Sequence, residues 1–332
     1  SRLHSELPDY IEILNESIIG QPITRQQYGA RKWDDQPTNK YVMCSLDDAR
    51  SILQAGPPRL PIFIPAELNP DQKRLNIPDY LDFLRTRDNI DVHVYDDPAG
   101  EISHPRSMKT GEALELFATS KGPINFLNLA GYKSNPDLLC FEGIPAYSIL
   151  RDIKSDLQSG KKSKRLVSDL SECVSFQLCA TKGAFSLPHI DQHGVITTVF
   201  CDDGLKLWHT WAGLGIDNIL QYAQSDCLPT SSCIAFLLYP GCSLIMPSGT
   251  LHAVGSRTNV LMSGTMHWDS RDMLRTAKLT QFAIKFPYLS NEDVAEEYPR
   301  KMEKVADFWT KDVPVWPWAP KSQLPEFKNI LE

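Results

Sequence analysis

Residues 185–211 read FSLPHIDQHGVITTVFCDDGLKLWHTW, and this stretch decides the fold. Two runs of β-branched and aromatic residues lie on either side of an Asp-Asp-Gly turn at residues 202–204. Similar short runs recur from residue 173 to residue 268, divided by glycine, proline and aspartate: CVSFQLCAT, GVITTVFCDD, GLKLWHTWAG, CIAFLLYPG, CSLIMPSG and NVLMSGTMHW. Many short strands at even spacing predict a β-sandwich or barrel.

Helical patterns lie on both sides of this strand-rich region. Ser45 is a candidate N-cap and Gly56 a candidate stop for one of them. Apolar stripes and capping signals predict helices over residues 7–18, 45–56, 77–87 and 109–120, with short strands at 59–68, 90–97 and 122–131. The last sixty residues return to helix and end in a proline- and tryptophan-rich segment, 312–327, which we expect to lie along the surface.

These patterns predict an α+β chain that is mainly β, with helices at both ends. We expect an N-terminal helical segment over residues 1–60, a β-rich core over 61–270 and a C-terminal helical extension over 271–332. The length of 332 residues, with 42% hydrophobic and 23% charged residues, is typical of a soluble protein with a sizeable core. We expect neither a membrane span nor a secretory signal, because no run of eighteen apolar residues occurs and the start is charged.

The net charge of −7 argues against a general nucleic-acid binder and permits a basic partner. Acidic doublets such as Asp202–Asp203 are interpreted as solvated surface. The basic run KKSKR at 161–165 is either an import signal or contact patch, or a flexible charged loop. None of the eight cysteines forms a C-x-x-C pair, and most lie in apolar surroundings, so we expect reduced thiols in the cytosol or nucleus.

His189 and Asp191 are two residues apart, so in a strand both side chains would project to the same side. His252 follows 63 residues after His189 (252 − 189), a separation at which a barrel can return a strand beside the first. Two histidines and one carboxylate form the facial triad of non-haem Fe(II) oxygenases. The alternatives are that His-x-Asp occurs by chance and that a buried histidine is a hydrogen-bonded core residue.

Lys206 lies 17 residues after His189 (206 − 189), inside the apolar run GLKLW. A buried ammonium is costly unless it binds an anion, and a metal-chelating organic acid would offer it a carboxylate. The alternative is a lysine whose ammonium reaches the barrel rim. Together with the triad, we favour the anion-binding role.

The segments LPHIDQHG, GLKLW, YPGCSLIMPSGTLHAV and SGTMHW, within residues 60–270, resemble the JmjC family of Fe(II)- and 2-oxoglutarate-dependent oxygenases. The similarity is greatest to the lysine demethylases that carry PHD-finger or F-box modules. The resemblance implies a double-stranded β-helix (jelly-roll or cupin) core. It also implies that His189, Asp191 and His252 bind Fe(II), that Lys206 and Ser186 bind 2-oxoglutarate, and that O2 is the co-substrate.

One position departs from the family pattern. Where those demethylases have a tyrosine ten residues after the first histidine, this chain has Val199. Thr197 and Thr198 stand beside it, and we expect one of them to supply the hydroxyl; the alternative is that both are simply strand formers. Gly194 matches a family glycine that would let the backbone approach the substrate.

The resemblance implies a nuclear histone N-methyl-lysine demethylase and chromatin regulator, acting on a methylated histone tail or another basic protein. Alternatives are a catalytically weak JmjC module that binds chromatin or a partner, a protein or small-molecule hydroxylase, and a cupin with a non-redox metal.

Two further histidines lie near the predicted ligands in the sequence. His193 is either a hydrogen-bond partner of the metal ligands or a turn residue. His267 is expected to support the metal ligands from the last core strand.

Overall fold

The computed structural model describes residues 40–69, 73–95, 106–120, 122–130, 139–154, 170, 174–211, 214, 216–225, 233–290 and 292–332. The predicted helix at 7–18 and the basic run at 161–165 lie outside these residues. The strands are β1 Val42–Met43, β2 Ile62–Ile64, β3 Asn89–Val94, β4 Arg106–Lys109, β5 Ile124–Ala130, β6 Ser175–Ala180, β7 Phe185–His189, β8 Ile196–Asp203, β9 Lys206–Trp211, β10 Cys233–Leu238, β11 Ser243–Met246, β12 Leu251–Ser256 and β13 Val260–His267.

The helices surround the strands and also interrupt their order. They are α1 Leu46–Ala55, α2 Ile77–Leu84, α3 Thr110–Thr119, α4 Ile149–Asp152, α5 Ile216–Ser225, α6 Met273–Lys285, α7 Tyr298–Lys311 and α8 Leu324–Leu331. Helix α1 begins at Ser45, whose hydroxyl accepts the backbone N–H of Asp48 at 3.2 Å, and it ends at Gly56, as predicted. In the described part of the chain, every helix is too short or too polar to cross a bilayer.

The strands form two sheets. The larger has nine strands in the order β1-β2-β11-β8-β13-β6-β5-β3-β4, and the smaller has four in the order β10-β9-β12-β7. All neighbouring strands are antiparallel except β1 and β2. The architecture is therefore mixed α+β, with a large, mainly antiparallel sheet and flanking helices.

The two sheets enclose one apolar cluster. It contains residues of the nine-stranded sheet (Val199, Leu244, Met262) and of the four-stranded sheet (Trp208, Phe236, Val254). The indole N–H of Trp208 points at the sulfur of Met246 on the opposite sheet, at 3.2 Å. The sides of β8, β11 and β13 that face β9, β10 and β12 are thus buried between the sheets, and polar side chains there need a specific explanation.

Helices cover the outer sides of both sheets. Helices α5 and α6 pack on the four-stranded sheet through Ile219 and Leu279. Helix α1 packs on β2, β8 and β11, and helices α2 and α3 pack on β3 and β5. Because both faces of the central strands are buried, strands such as β10, with the sequence CIAFLL, are apolar along their whole length.

Two expectations about the surface are wrong. The segment 312–327 does not simply lie along the surface, because Trp316 and Ala319 are buried in a C-terminal cluster that includes Trp309. Asp202 is not solvated: it is buried, and its carboxylate accepts the backbone N–H of Leu75 at 2.8 Å. No disulfide joins the six described cysteines to one another.

Candidate metal centre

The structure brings His189, Asp191 and His252 together. His189 ends β7, Asp191 precedes a 3-10 turn at Gln192–Gly194, and His252 lies on β12 directly opposite His189. One ligand atom from each residue lies within 4.8 Å of the others. The two imidazole centroids are 4.3 Å apart, and His252 Nε2 is 3.7 Å from Asp191 Oδ1. These three side chains could bind a metal ion.

Both histidines present the same nitrogen to the centre. His189 Nδ1 lies 2.6 Å from the carbonyl oxygen of Leu187, and His252 Nδ1 lies 3.0 Å from that of Thr250. A carbonyl can only accept, so each Nδ1 carries the proton and each Nε2 keeps its lone pair. The ring of Trp208 stacks on His252 at 5.6 Å and 12°, which restrains its rotation.

Thr197 fixes the carboxylate of Asp191. Its hydroxyl donates to Asp191 Oδ2 at 2.5 Å, while Oδ1 faces His252. Thr197 is on β8 of the nine-stranded sheet, so the metal group joins the two sheets. The sequence predicted Thr197 as a cosubstrate contact or a plain strand former, and its hydrogen bond to Asp191 was not predicted. Its position six residues after Asp191 gave no signal without the turn geometry.

The surroundings of His189 favour the neutral form of its imidazole. Burial, followed by the proximity of His252, lowers the pKa of His189 to about 4, although Asp191 opposes the shift. The imidazole is therefore neutral at pH 7, and a neutral imidazole is the form that binds a metal.

Lys206 begins β9 on the side that faces the interior. It is only 3% exposed, and its ammonium lies 5.8 Å from the ring centroid of Trp208. Burial lowers the pKa of Lys206 to about 8. No ion pair or hydrogen bond of this ammonium is found among the described residues. The hydroxyl of its cross-strand neighbour Ser256 is also buried without a described partner.

Ser186 reaches the same side because β7 contains a bulge. His252 pairs with His189, but Val254 pairs with Ser186. An advance of two residues along β12 therefore corresponds to three residues along β7, which has one extra residue at the bulge. His252 and Val254 share one face, and therefore His189 and Ser186 share it as well. The interior side also carries Thr210, opposite His252, whose buried hydroxyl has no described partner.

Thr198 and Val199 are placed differently from Thr197. Thr198 points to the opposite side of β8, with Ile196 and Phe200, which pack under helix α1. Val199 is fully buried in the apolar cluster between the sheets. Of the two threonines, only Thr197 therefore contacts the metal group.

His193, Gly194 and His267 have structural contacts. His193 Nε2 accepts the backbone N–H of Ala295 at 2.9 Å, and it adopts φ 62° in the turn. A Cβ on Gly194 would lie 2.6 Å from the carbonyl oxygen of Thr276 on α6, so the glycine permits close packing against that helix. His267 faces away from the centre and stacks on Phe141 at 4.1 Å.

Comparison with known proteins gives no independent assignment of this site. No protein-family model matches the chain, and no curated protein matches its sequence significantly.

Proposed function

We propose that this protein is an Fe(II)- and 2-oxoglutarate-dependent oxygenase whose two sheets form a double-stranded β-helix. One observation carries the proposal: a buried His189–Asp191–His252 group lies between sheets that also bury the ammonium of Lys206 on their inner side. A metal group alone would suit many activities. A buried cation beside it is what a metal-chelating dicarboxylate requires.

The side chains fit both cofactors. Two imidazoles and one carboxylate are the ligand set of non-haem Fe(II) sites and leave positions for other ligands. The ammonium of Lys206 would hold the far carboxylate of 2-oxoglutarate, and the hydroxyl of Ser186 would donate to it. When bound, Fe(II) with 2-oxoglutarate and O2 would supply hydroxylation of a C–H bond, which on an N-methyl-lysine releases formaldehyde.

The chain's own residues supply position and a dry environment. The Nδ1–H bonds of both histidines and the hydroxyl of Thr197 orient the three ligands. Trp208 and Val254 shield the interior side from water. By the resemblance, the substrate is a methylated histone tail or another basic protein, in the nucleus; the net charge of −7 supports a basic substrate.

Anaerobic titration with Fe(II) and then 2-oxoglutarate tests the proposal. We expect a weak visible charge-transfer band, no band in His252→Ala, and iron binding with weakened 2-oxoglutarate binding in Lys206→Ala. Iron bound without the band would contradict the oxygenase. Formaldehyde release from methylated histone peptides then distinguishes a demethylase from a hydroxylase.

One observation favours a second candidate, a catalytically weak module that binds chromatin or a partner. The position where the demethylases have a tyrosine is the buried, apolar Val199. If this candidate is correct, Fe(II) and 2-oxoglutarate bind, but neither succinate nor formaldehyde accumulates with any methylated peptide.

A further inference from the structure

The chain that follows helix α6 runs beside the turn that carries Asp191. Three hydrogen bonds join the two: the N–H of Ile190 donates to the carbonyl oxygen of Leu289 at 2.8 Å, the side-chain amide of Gln192 donates to that of Glu292 at 3.2 Å, and the N–H of Ala295 donates to His193 Nε2 at 2.9 Å. These contacts occur in the same order along both parts of the chain. The backbone of Glu292 is therefore held beside the residue that follows Asp191.

The metal group is most open to solvent on the side of Asp191. The side chain of Asp191 is 17% exposed, whereas that of His252 is 3% exposed, and His189 is buried as well. The opposite, interior side is closed by the apolar cluster between the two sheets. A substrate would therefore reach the centre past Asp191, the side on which Glu292 is fastened.

Glu292 is exposed, and yet the protein around it affects its carboxyl group strongly. Burial, followed by the negative charge of Asp191, raises the pKa of Glu292 to about 7. A side chain that touches water but is surrounded by protein on its other sides lines a concave opening. In such an opening the field of a fixed charge is stronger than on a convex surface.

No cation compensates this carboxylate in the part of the chain that the structure describes. Glu292 forms no ion pair there, and residues 286–297, FPYLSNEDVAEE, contain four acidic residues and neither lysine nor arginine. The preceding Lys285 lies over the ring of Phe286, 5.6 Å from its centroid. A metal ion on Asp191 would not have Glu292 as a ligand, because Glu292 is not part of the metal-binding group.

We propose that Glu292 is a specificity-determining residue that binds the cationic end of the substrate, an alkylammonium group, at the opening of the metal centre. A carboxylate attracts an alkylammonium by charge alone, so methyl groups on the nitrogen do not prevent the contact. A neutral side chain of the same shape gains nothing from Glu292, and an anionic one is repelled. The inference rests on the proposed oxygenase, since it assigns the charge of the substrate at that centre.

Binding of two labelled peptides to the full chain tests the proposal without turnover. The peptides are uncharged except for a central N-trimethyl-lysine, which the second peptide replaces with its neutral carbon isostere, a tert-butyl group. Zn(II) is present to compensate the charge of Asp191. Fluorescence anisotropy should show that the wild type binds the cationic peptide about fivefold more tightly, the size expected of one partly exposed ion pair. Equal affinity for the two peptides, or no binding of the cationic peptide at millimolar concentration, would overturn the proposal.

Glu292→Gln should remove this preference. The change keeps the shape of the side chain and both backbone hydrogen bonds of residue 292, so the melting temperature should not fall. Asp293→Asn is the matched control, because it removes the same charge from the neighbouring exposed residue and should leave the preference unchanged. A preference that persists in Glu292→Gln, or that is lost equally in both variants, would show that Glu292 does not select the cation.

The anaerobic Fe(II) and 2-oxoglutarate titration separates this inference from the proposed function. Glu292→Gln should give the same visible band as the wild type, because Glu292 is not a metal ligand. If the wild type gives no band but prefers the cationic peptide, the oxygenase is wrong and the cation site stands. If the band forms and the two peptides bind equally, the oxygenase stands and the role of Glu292 is wrong.

Discussion

A lysine ammonium buried without an anion destabilises a protein, and among the residues that the structure describes Lys206 has no anionic side chain beside it. Among the described residues, its ammonium interacts electrostatically with the thiols of Cys201 and Cys179 and with the ring of Trp208. These groups stabilise a positive charge less than a carboxylate would. Such a group is retained at a cost to folding. That cost is the physical reason for the proposal that Lys206 binds an anionic cosubstrate.

Lys206→Met should therefore stabilise the protein without ligands, by about 1–3 kcal/mol at pH 7, and weaken 2-oxoglutarate binding. The pKa lowered to about 8 means that the folded state loses its proton before the unfolded state does. Wild-type stability relative to the variant should thus rise from pH 8 to about pH 10.5. Urea unfolding across this range measures it, with the exposed Lys182→Met as control. A destabilised Lys206→Met would contradict this account.

Asp202, which is not one of the metal ligands, allows a separate test of how burial of a charged group affects folding stability. Burial raises its pKa from 3.8 to about 6, so the folded state holds a proton that the unfolded state releases. Stability should consequently fall as the pH rises from about 4 to 6. Asp202→Asn can still accept the N–H of Leu75, and it should gain up to about 3 kcal/mol at pH 7 and lose this dependence.

Chemical denaturation at several pH values checks this prediction. Asp203→Asn is the matched control, since it leaves the Asp202 carboxyl in place. A fall of stability between pH 4 and 6 that persists in Asp202→Asn would mean that another group is responsible.

His189, Asp191 and His252 were predicted as metal ligands from their spacing, from the cost of burying Lys206 and from the family resemblance, and the structure brings the three side chains together. The role of Thr197 was not predictable in the same way, because it depends on how the turn at Gln192–Gly194 aims the Asp191 carboxylate. The burial of Asp202 was also missed, since an acidic doublet after a strand usually meets water.

Among the elements, the strands that form the centre were predictable from their apolar runs, but their pairing was not. Because of the bulge in β7, Ser186 lies on the same side of the sheet as His189. The bulge arises from the pairing of β7 with β12, which lies more than sixty residues later in the chain. Helix α5, between β9 and β10, was not predicted from the sequence. Its role in covering the four-stranded sheet depends on that long-range packing.

The turn after Asp191 should be sensitive to a single methyl group. Gly194 has φ +58°, and a Cβ there would lie 2.6 Å from the carbonyl oxygen of Thr276. Gly194→Ala should cost about 2–4 kcal/mol and weaken metal binding, because the turn must move away from α6. Gly255→Ala, on β12 with no atom within 4 Å of the new Cβ, should change stability by less than about 0.5 kcal/mol. Equal effects of the two changes on thermal unfolding and metal titration would contradict the proposed packing role.

At the scale of the whole molecule, the metal group joins elements that are otherwise held by apolar packing. His189 and His252 belong to the four-stranded sheet, and Asp191 is bound by Thr197 of the nine-stranded sheet. In the unfolded chain the ligands are far apart, since His189 and His252 are 63 residues apart (252 − 189). A divalent ion should therefore bind the folded state almost exclusively.

This preference predicts a concentration-dependent gain in stability. At a free metal concentration of 100 times Kd, the gain should be about 2.7 kcal/mol, measured as a rise in the melting temperature under anaerobic Fe(II) or with Co(II) or Zn(II). Asp191→Asn keeps the size of the side chain and its place beside Thr197, so it should fold normally but lose most of the gain. Because the pKa of His189 is lowered to about 4, protonation of this ligand should not limit metal binding at pH 6. If the metal raises the melting temperature of Asp191→Asn as much as that of the wild type, the ion binds elsewhere and these three side chains are not its ligands.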